Sequence, residues 1–218
     1  MYWNVIDENR KNILKKVTDN ISLNKYYMAG GTALALQNGA RESFDFDFFV
    51  QEKFDTKILS NELEKLGNLK ISYISNDTLH CILDDVQLTF MYFPNLLIKE
   101  LVKIAECKNL YLASVIDIAT MKLVAISQRG TKKDFFDLYN VCQKYNYSLK
   151  TFFSLLEVKY SKEKLNYFHI LKSIVYFEDA DDEILPKTYI DYNWEDIKSF
   201  YKTQFEIVSK LKYWEKNT

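Results

Sequence analysis

The chain has 218 residues, enough for one large domain or two small ones, and it can bury a substantial core. A hydrophobic share of 48%, with 16% aromatic residues, excludes a disordered chain; a formal net charge of −1 argues against a nucleic-acid coat or a polybasic membrane binder and leaves room only for a local basic groove. Three scattered cysteines (Cys81, Cys107, Cys142) and two histidines (His80, His169) show no zinc spacing, and isolated cysteines fit a reducing compartment.

In chain order, the first residues, Met1-Tyr2-Trp3-Asn4, carry no basic n-region or apolar h-region, and no apolar run approaches ~20 residues. A cytoplasmic protein without a membrane partner is therefore expected. Periodicity predicts an amphipathic helix over 3–20, with Val5, Ile6, Ile13, Leu14 and Val17 on its apolar side. Tyr26 to Ala29 reads as a short strand entering Gly30-Gly31, and Thr32 to Asn38 as a helix ended by Gly39. Ser43 to Val50 reads as a strand, and 55–66 as a helix with Ile58, Leu59, Leu63 and Leu66 on one side. Three β-like runs follow, Leu69 to Ile74, Leu79 to Leu83 and Val86 to Phe93; Asp84-Asp85 suits a tight hairpin turn and Pro94 closes the region. Short strands are expected around Leu101 to Ile104 and Leu110 to Leu112. From Ser114 onward the pattern is helical, over 114–128, 132–144, 148–160, 163–177 and 193–215, with the acidic loop Glu178 to Glu183 and a Pro186 turn before the last helix. The expectation is an α+β protein with an α/β domain over 1–112 and a helical bundle over 113–218.

The segment Ala29 to Val50 carries the chemical signal. On a strand, Ser43, Asp45 and Asp47 alternate with Phe44, Phe46 and Phe48, so the aspartates share one face about 6.5–7 Å apart and the phenylalanines pack on the other. Two carboxylates held side by side call for a cation, and hard oxygen ligands favour Mg²⁺ or Mn²⁺. Gly30-Gly31 before Thr32 suits a plain turn into a helix with Thr32 as N-cap; it also suits a backbone left bare for phosphate oxygens. Both motifs in this order, close together, are the layout of a phosphoryl- or nucleotidyl-transfer site. Arg41 reads either as a solvated residue or as a cation for the aspartates or a phosphate.

Lys122 lies on the apolar side of its helix with Val115, Ile118 and Ile126, so it snorkels or meets an anion such as a nucleotide phosphate. In Arg129-Gly130-Thr131-Lys132-Lys133-Asp134-Phe135-Phe136-Asp137-Leu138, Thr131 and Asp134 fit a helix start. Asp137 falls on the core side and needs a partner, which Lys122 or Lys133 would supply. Adjacent His80 and Cys81 read as ordinary strand residues on opposite faces. The aromatic residues Phe152, Phe153, Tyr167, Phe168, Tyr176 and Phe177 read most simply as core, with RNA stacking by some of them as the alternative.

These motifs, G-G-T-A-L-A-L, R-E-S-F-D-F-D-F-F and M-K-L-V-A-I-S-Q-R-G-T-K-K-D-F-F-D-L, resemble in order and spacing the AbiEii/AbiGii toxin family of nucleotidyltransferases across roughly residues 26–141. The resemblance implies a minimal nucleotidyltransferase mixed sheet flanked by helices, Mg²⁺-dependent use of an NTP, bacterial origin and a toxin–antitoxin or phage-defence setting. An RNA acceptor, tRNA above all, and a nearby antitoxin would be the partners. By position, Ser43, Asp45 and Asp47 match the active-site strand motif, with the metal on Asp45 and Asp47. Lys122 matches the nucleotide-contacting lysine, and Lys133, Asp134 and Asp137 match the K-D-x-x-D motif. Gly30, Gly31, Thr32, Arg41 and Ser43 would complete the nucleotide site, and the bundle would bring Lys122 and the K-D-x-x-D motif to the cleft. One departure stands out. The strand expected to carry a third carboxylate, Val86 to Phe90, offers Gln87 and Thr89, with Asp137 as the substitute acid. A non-catalytic nucleotide- or RNA-binding module on a degenerate form of the fold is the alternative. A D-x-D glycosyltransferase is disfavoured, because G-G-T and K-D-x-x-D have no role in one.

Overall fold

A computed structural model describes residues 1–161 and 165–210; the expected helices over 163–177 and 193–215 therefore run partly outside the described residues. The chain divides into two compact units, Met1–Ser114 and Val115–Thr218.

In the first unit the opening helix is shorter than its periodicity suggests. The Asp7 side chain accepts a hydrogen bond from the Arg10 N–H, an N-cap that fixes the start of α1 (Glu8–Asn20) and leaves only a 3₁₀ turn at Trp3–Val5 before it. Then come β1 (Tyr26–Ala29), α2 (Gly30–Asn38), β2 (Phe46–Val50), α3 (Thr56–Glu64), β3 (Leu69–Ile74), β4 (Thr78–Leu83), β5 (Val86–Tyr92), β6 (Val102–Lys103) and β7 (Tyr111–Leu112). They form one seven-stranded sheet in the order β3-β4-β5-β2-β1-β7-β6. The sheet is mixed: β2 runs parallel to β5 and β1 parallel to β7, while the other neighbours are antiparallel.

The β4–β5 connection is the expected two-residue turn. Asp84 and Asp85 both take positive φ, 46° and 67°, the backbone that matches strand twist. One face of the sheet is the core: Phe46, Phe48, Leu79, Cys81, Leu88 and Phe90 are fully buried, with α1 packed against β5 and α3 against β3 and β4. Burial pushes the Cys81 thiol up to about 12. The acidic strand starts later than its alternation predicts. Residues 42–45 are irregular, and Phe44 is 42% exposed with the Arg10 guanidinium over its ring instead of packing with Phe46 and Phe48.

The second unit is helical among its described residues: α4 (Val115–Gln128), α5 (Lys132–Tyr145), α6 (Leu149–Lys159), α7 (Tyr167–Ser173), the short α8 (Glu178–Asp181) where an acidic loop was expected, and α9 (Trp194–Ser209). Its centre is aromatic. Phe135 packs edge-on against Tyr201, whose hydroxyl donates to the Phe135 carbonyl at 2.9 Å. Phe152, Phe153 and Phe177 are core as expected, whereas Phe168 and Tyr176 are exposed, with Lys172 over the Phe168 ring. Among the described residues no helix is long and apolar enough to cross a membrane.

Candidate active site

The site grows from the junction of β1 with α2. Antiparallel pairing sets Ala29 opposite Asp47, so the chain turns into α2 directly beside that carboxylate. Gly30 makes the turn at φ +71°, a conformation L side chains rarely adopt. A Cβ there would lie 2.3 Å from Asp47 Oδ2, and one on Gly31 would lie 2.9 Å from an Arg41 guanidinium nitrogen and 3.2 Å from Ser43 Oγ. The absence of both side chains is what lets a carboxylate, a guanidinium and a hydroxyl crowd onto the start of the helix. The N-cap residue Ala29 has no side chain that can cap α2, whose first N–H groups and dipole favour negative charge.

Thr32 is not the N-cap expected from sequence, because Gly30 starts the helix two residues earlier. It lies inside the first turn, 1% exposed, pairing with Ser43 Oγ at 2.8 Å and donating to the Asp45 carbonyl. Thr32 thus fixes the backbone that leads into β2. Ser43 is 6% exposed, and Arg41, at 3%, donates to the Glu42 carbonyl. Asp45, just before β2, and Asp47, within it, are both half-buried. Gly30, Gly31, Thr32, Arg41, Ser43, Asp45 and Asp47 are therefore gathered in one place.

On the other side of β2, the parallel register sets Thr89 of β5 opposite Asp47. Asp84 and Asp85 remain in their turn, where Asp84 accepts from the Asn68 N–H and from Lys16. Thr89 is 5% exposed, and its hydroxyl lies 3.1 Å from His80 Nδ1. Among the described residues no group of three or more His, Cys, Asp or Glu converges as a metal cage. Two part-exposed carboxylates still suit Mg²⁺, which keeps several waters and takes one or two carboxylates together with substrate phosphates.

The second unit carries the other predicted residues in a different setting. Lys122, 4% exposed, places Nζ 2.8 Å from Asp134 Oδ1 and 2.7 Å from Asp137 Oδ2. Asp134 also accepts from Arg129 and from the Thr131 hydroxyl. Burial pushes the Asp134 carboxyl up, but the charges and hydrogen bonds of Lys122 and Arg129 outweigh it and hold the group well below its ordinary value. Asp137 lies on the core side as its spacing predicts, and Lys133 is half-buried. Sequence reasoning overlooked a second buried pair, Lys159 with Asp117 at 2.8 Å, both 0% exposed. Its signal was available: Lys159 follows Leu149, Phe152 and Leu156 on the apolar stripe of α6, as Lys122 does on α4.

No family model matches the chain. The uncharacterized protein aq_aa25 of Aquifex aeolicus (strain VF5) is 37% identical over 199 residues, 90% of this chain and 94% of that protein. Among solved structures, ANT(2″)-Ia in complex with adenylyl-2″-tobramycin matches with a TM-score of 0.50 at 15% identity, over 72% of this chain and 99% of its own. MenT4, nucleotidyltransferase toxin Rv2826c from Mycobacterium tuberculosis H37Rv, matches over 95% of this chain and 84% of its own at 11% identity, with a TM-score of 0.49. The mixed sheet with its helices is the fold of ANT(2″)-Ia.

Proposed function

We propose nucleotidyl transfer as the activity of this chain, which belongs to the same family as the uncharacterized Aquifex aeolicus protein aq_aa25. The observation that carries the proposal is the fit of the bare Gly30-Gly31 backbone against Asp47, Arg41 and Ser43, at a helix start beside two part-exposed carboxylates. An anionic polyphosphate meets N–H groups, a helix dipole and a guanidinium there, and Asp45 and Asp47 are the oxygen ligands for its counter-ion.

In the reaction an acceptor hydroxyl oxygen attacks the α-phosphorus of an NTP in line, the bond from that phosphorus to the bridging oxygen breaks, pyrophosphate leaves, and the acceptor proton passes to water. Mg²⁺ or Mn²⁺ bound by Asp45 and Asp47 would supply charge neutralisation and activation of the acceptor oxygen. The Gly30 and Gly31 backbone cradles the phosphates, Arg41 offsets their charge, and Thr32 and Ser43 hold the segment that presents Asp45. The motif resemblance supports a nucleotide-contacting role for Lys122 as well, whose Nζ is held by Asp134 and Asp137, with Lys133 at the same motif. The motif resemblance supports an AbiEii/AbiGii-type toxin in a bacterial cytoplasm, with an RNA acceptor, tRNA above all, and an antitoxin encoded nearby.

One observation favours a second reading. Thr89, not an acid, faces Asp47 across β5, as it would in a module that binds nucleotide without chemistry. Incubation of the purified chain with labelled NTPs, Mg²⁺ and total RNA separates the two. Label transfer that Asp45→Ala abolishes supports the enzyme; nucleotide binding without product under any acceptor sinks it.

A further inference from the structure

The sheet face that carries Asp47 continues past it into a row of side chains that the proposed reaction leaves unused. Strand register sets Asp47 opposite Thr89, Thr89 opposite His80, and His80 opposite Tyr73. Directly paired residues on neighbouring strands project to the same face, so the row crosses β2, β5, β4 and β3 over three strand spacings, about 14 Å. Burial separates most of this row from the core face: Cys81 and Leu88 beside it are 0% exposed, whereas Asp47 and His80 are half-buried and Tyr73 is 54% exposed, with Thr89 between them at 5%.

At the far end of the row the Tyr73 and His80 rings lie 5.7 Å apart, tilted by 47°. The Thr89 hydroxyl, 3.1 Å from His80 Nδ1, fixes the orientation of the imidazole. An ordinary cross-strand pair needs no such anchor, and the anchor here is the residue that faces Asp47. One register over on the same face, Lys70 and Gln87 flank the rings through their shared partner Ile82; both are exposed, a cation and an amide beside the two rings.

We propose that the Tyr73–His80 ring pair is a nucleobase platform, oriented through Thr89 and aligned with Asp47, on which a base stacks while its backbone or phosphates run toward the acidic pair. Rings on an exposed strand face offer stacking surface to any base, and Lys70 and Gln87 supply a charge for phosphate and an amide for a base edge. The platform serves the nucleotidyl-transfer site and rests on that assignment for its purpose; the base belongs either to the NTP or to a polynucleotide acceptor.

The test uses the full chain and its Tyr73→Ala, Tyr73→Phe and His80→Ala variants, with two probes in Mg²⁺ buffer: the four labelled NTPs and a fluorescein-labelled mixed-sequence single-stranded RNA. Loss of one stacked ring weakens a probe that uses it by about 5- to 150-fold, and Tyr73→Phe keeps the affinity within about threefold. Weakened NTP binding with unchanged RNA binding assigns the base to the nucleotide; the reverse assigns it to the acceptor. Unchanged affinity for both probes in Tyr73→Ala and His80→Ala, with melting temperatures like the parent, overturns the platform, as does failure of the parent to bind either probe. Label transfer is read separately, so a chain that binds but never transfers counts against the activity and not against the platform.

Discussion

Asp45 and Asp47 stand half-buried at the open start of a helix, whereas Asp134 and Asp137 are 0% and 3% exposed around the Lys122 ammonium. Both pairs are aspartates close in sequence, and both fall on motifs of the same resemblance. The difference lies in what satisfies them. Asp134 has its lone pairs taken by Lys122, Arg129 and Thr131, so its carboxylate is committed to the fold. Asp45 keeps its side chain part-exposed while Thr32 holds its backbone, the arrangement of a group positioned for something that arrives later. Loss of the first kind of carboxylate is read in stability before anything else, and loss of the second in activity alone.

The largest effect expected is on transfer. Asp47→Ala and Asp45→Ala each lower label transfer on the order of 1,000-fold, with melting temperatures within a few degrees of the parent. A melting loss as deep as the activity loss would erase the contrast between the two pairs. Next comes the buried pair of the second unit: Lys159→Met removes the ammonium that meets Asp117 in the interior and costs about 3–5 kcal/mol in denaturant unfolding, most of which the double variant Lys159→Met/Asp117→Leu recovers. Acid titration sharpens the comparison further. Asp134 is held below its ordinary value of 3.8, so the folded state binds fewer protons than the unfolded one as pH falls past that value. Its stabilisation is complete above about pH 4–5 and drains away as pH drops toward the folded pKa; Asp134→Asn lowers neutral-pH stability and flattens the acid limb, as circular dichroism against pH would record.

A smaller effect belongs to Gly30→Ala, which places a residue at φ +71° and a methyl group against Asp47. It costs about 1–2 kcal/mol of stability and lowers transfer by more than that loss explains. The smallest is Thr32→Val, which removes the hydroxyl that reaches Ser43 and the Asp45 carbonyl, for about 1 kcal/mol and a partial loss of transfer. Equal activity in Thr32→Val and the parent would show that Asp45 needs no such support.

Much of the fold was legible because its signals are local. Asp84-Asp85 between two alternating runs specified the hairpin, and the apolar stripe of α4 left Lys122 to snorkel or meet an anion, of which the fold takes the second with Asp134 and Asp137. Misreadings arose where a single residue overrides periodicity. Asp7 cut the first helix short, Gly30 displaced Thr32 from the cap, and Arg10 gave Phe44 a surface partner that drew it from the core pattern. The candidate site was legible as an ordered set of motifs around the glycine turn, since β1, α2 and β2 follow one another in the chain. His80 was not, because only the register of β4 on β5 and of β5 on β2 aligns it with Asp47, and such pairing is a long-range property that no local spacing carries.

The seating of β1 between β2 and β7 has a consequence for synthesis. Met28 is made early, yet its partner Leu112 emerges from the ribosome only after α2 through β6 have been translated. The strand that leads into the glycine turn therefore stays exposed along one edge on the nascent chain until the last short strand arrives. Stalled chains ending just before and well after Leu112 should differ sharply in protease resistance around Tyr26–Ala29, the longer one being protected.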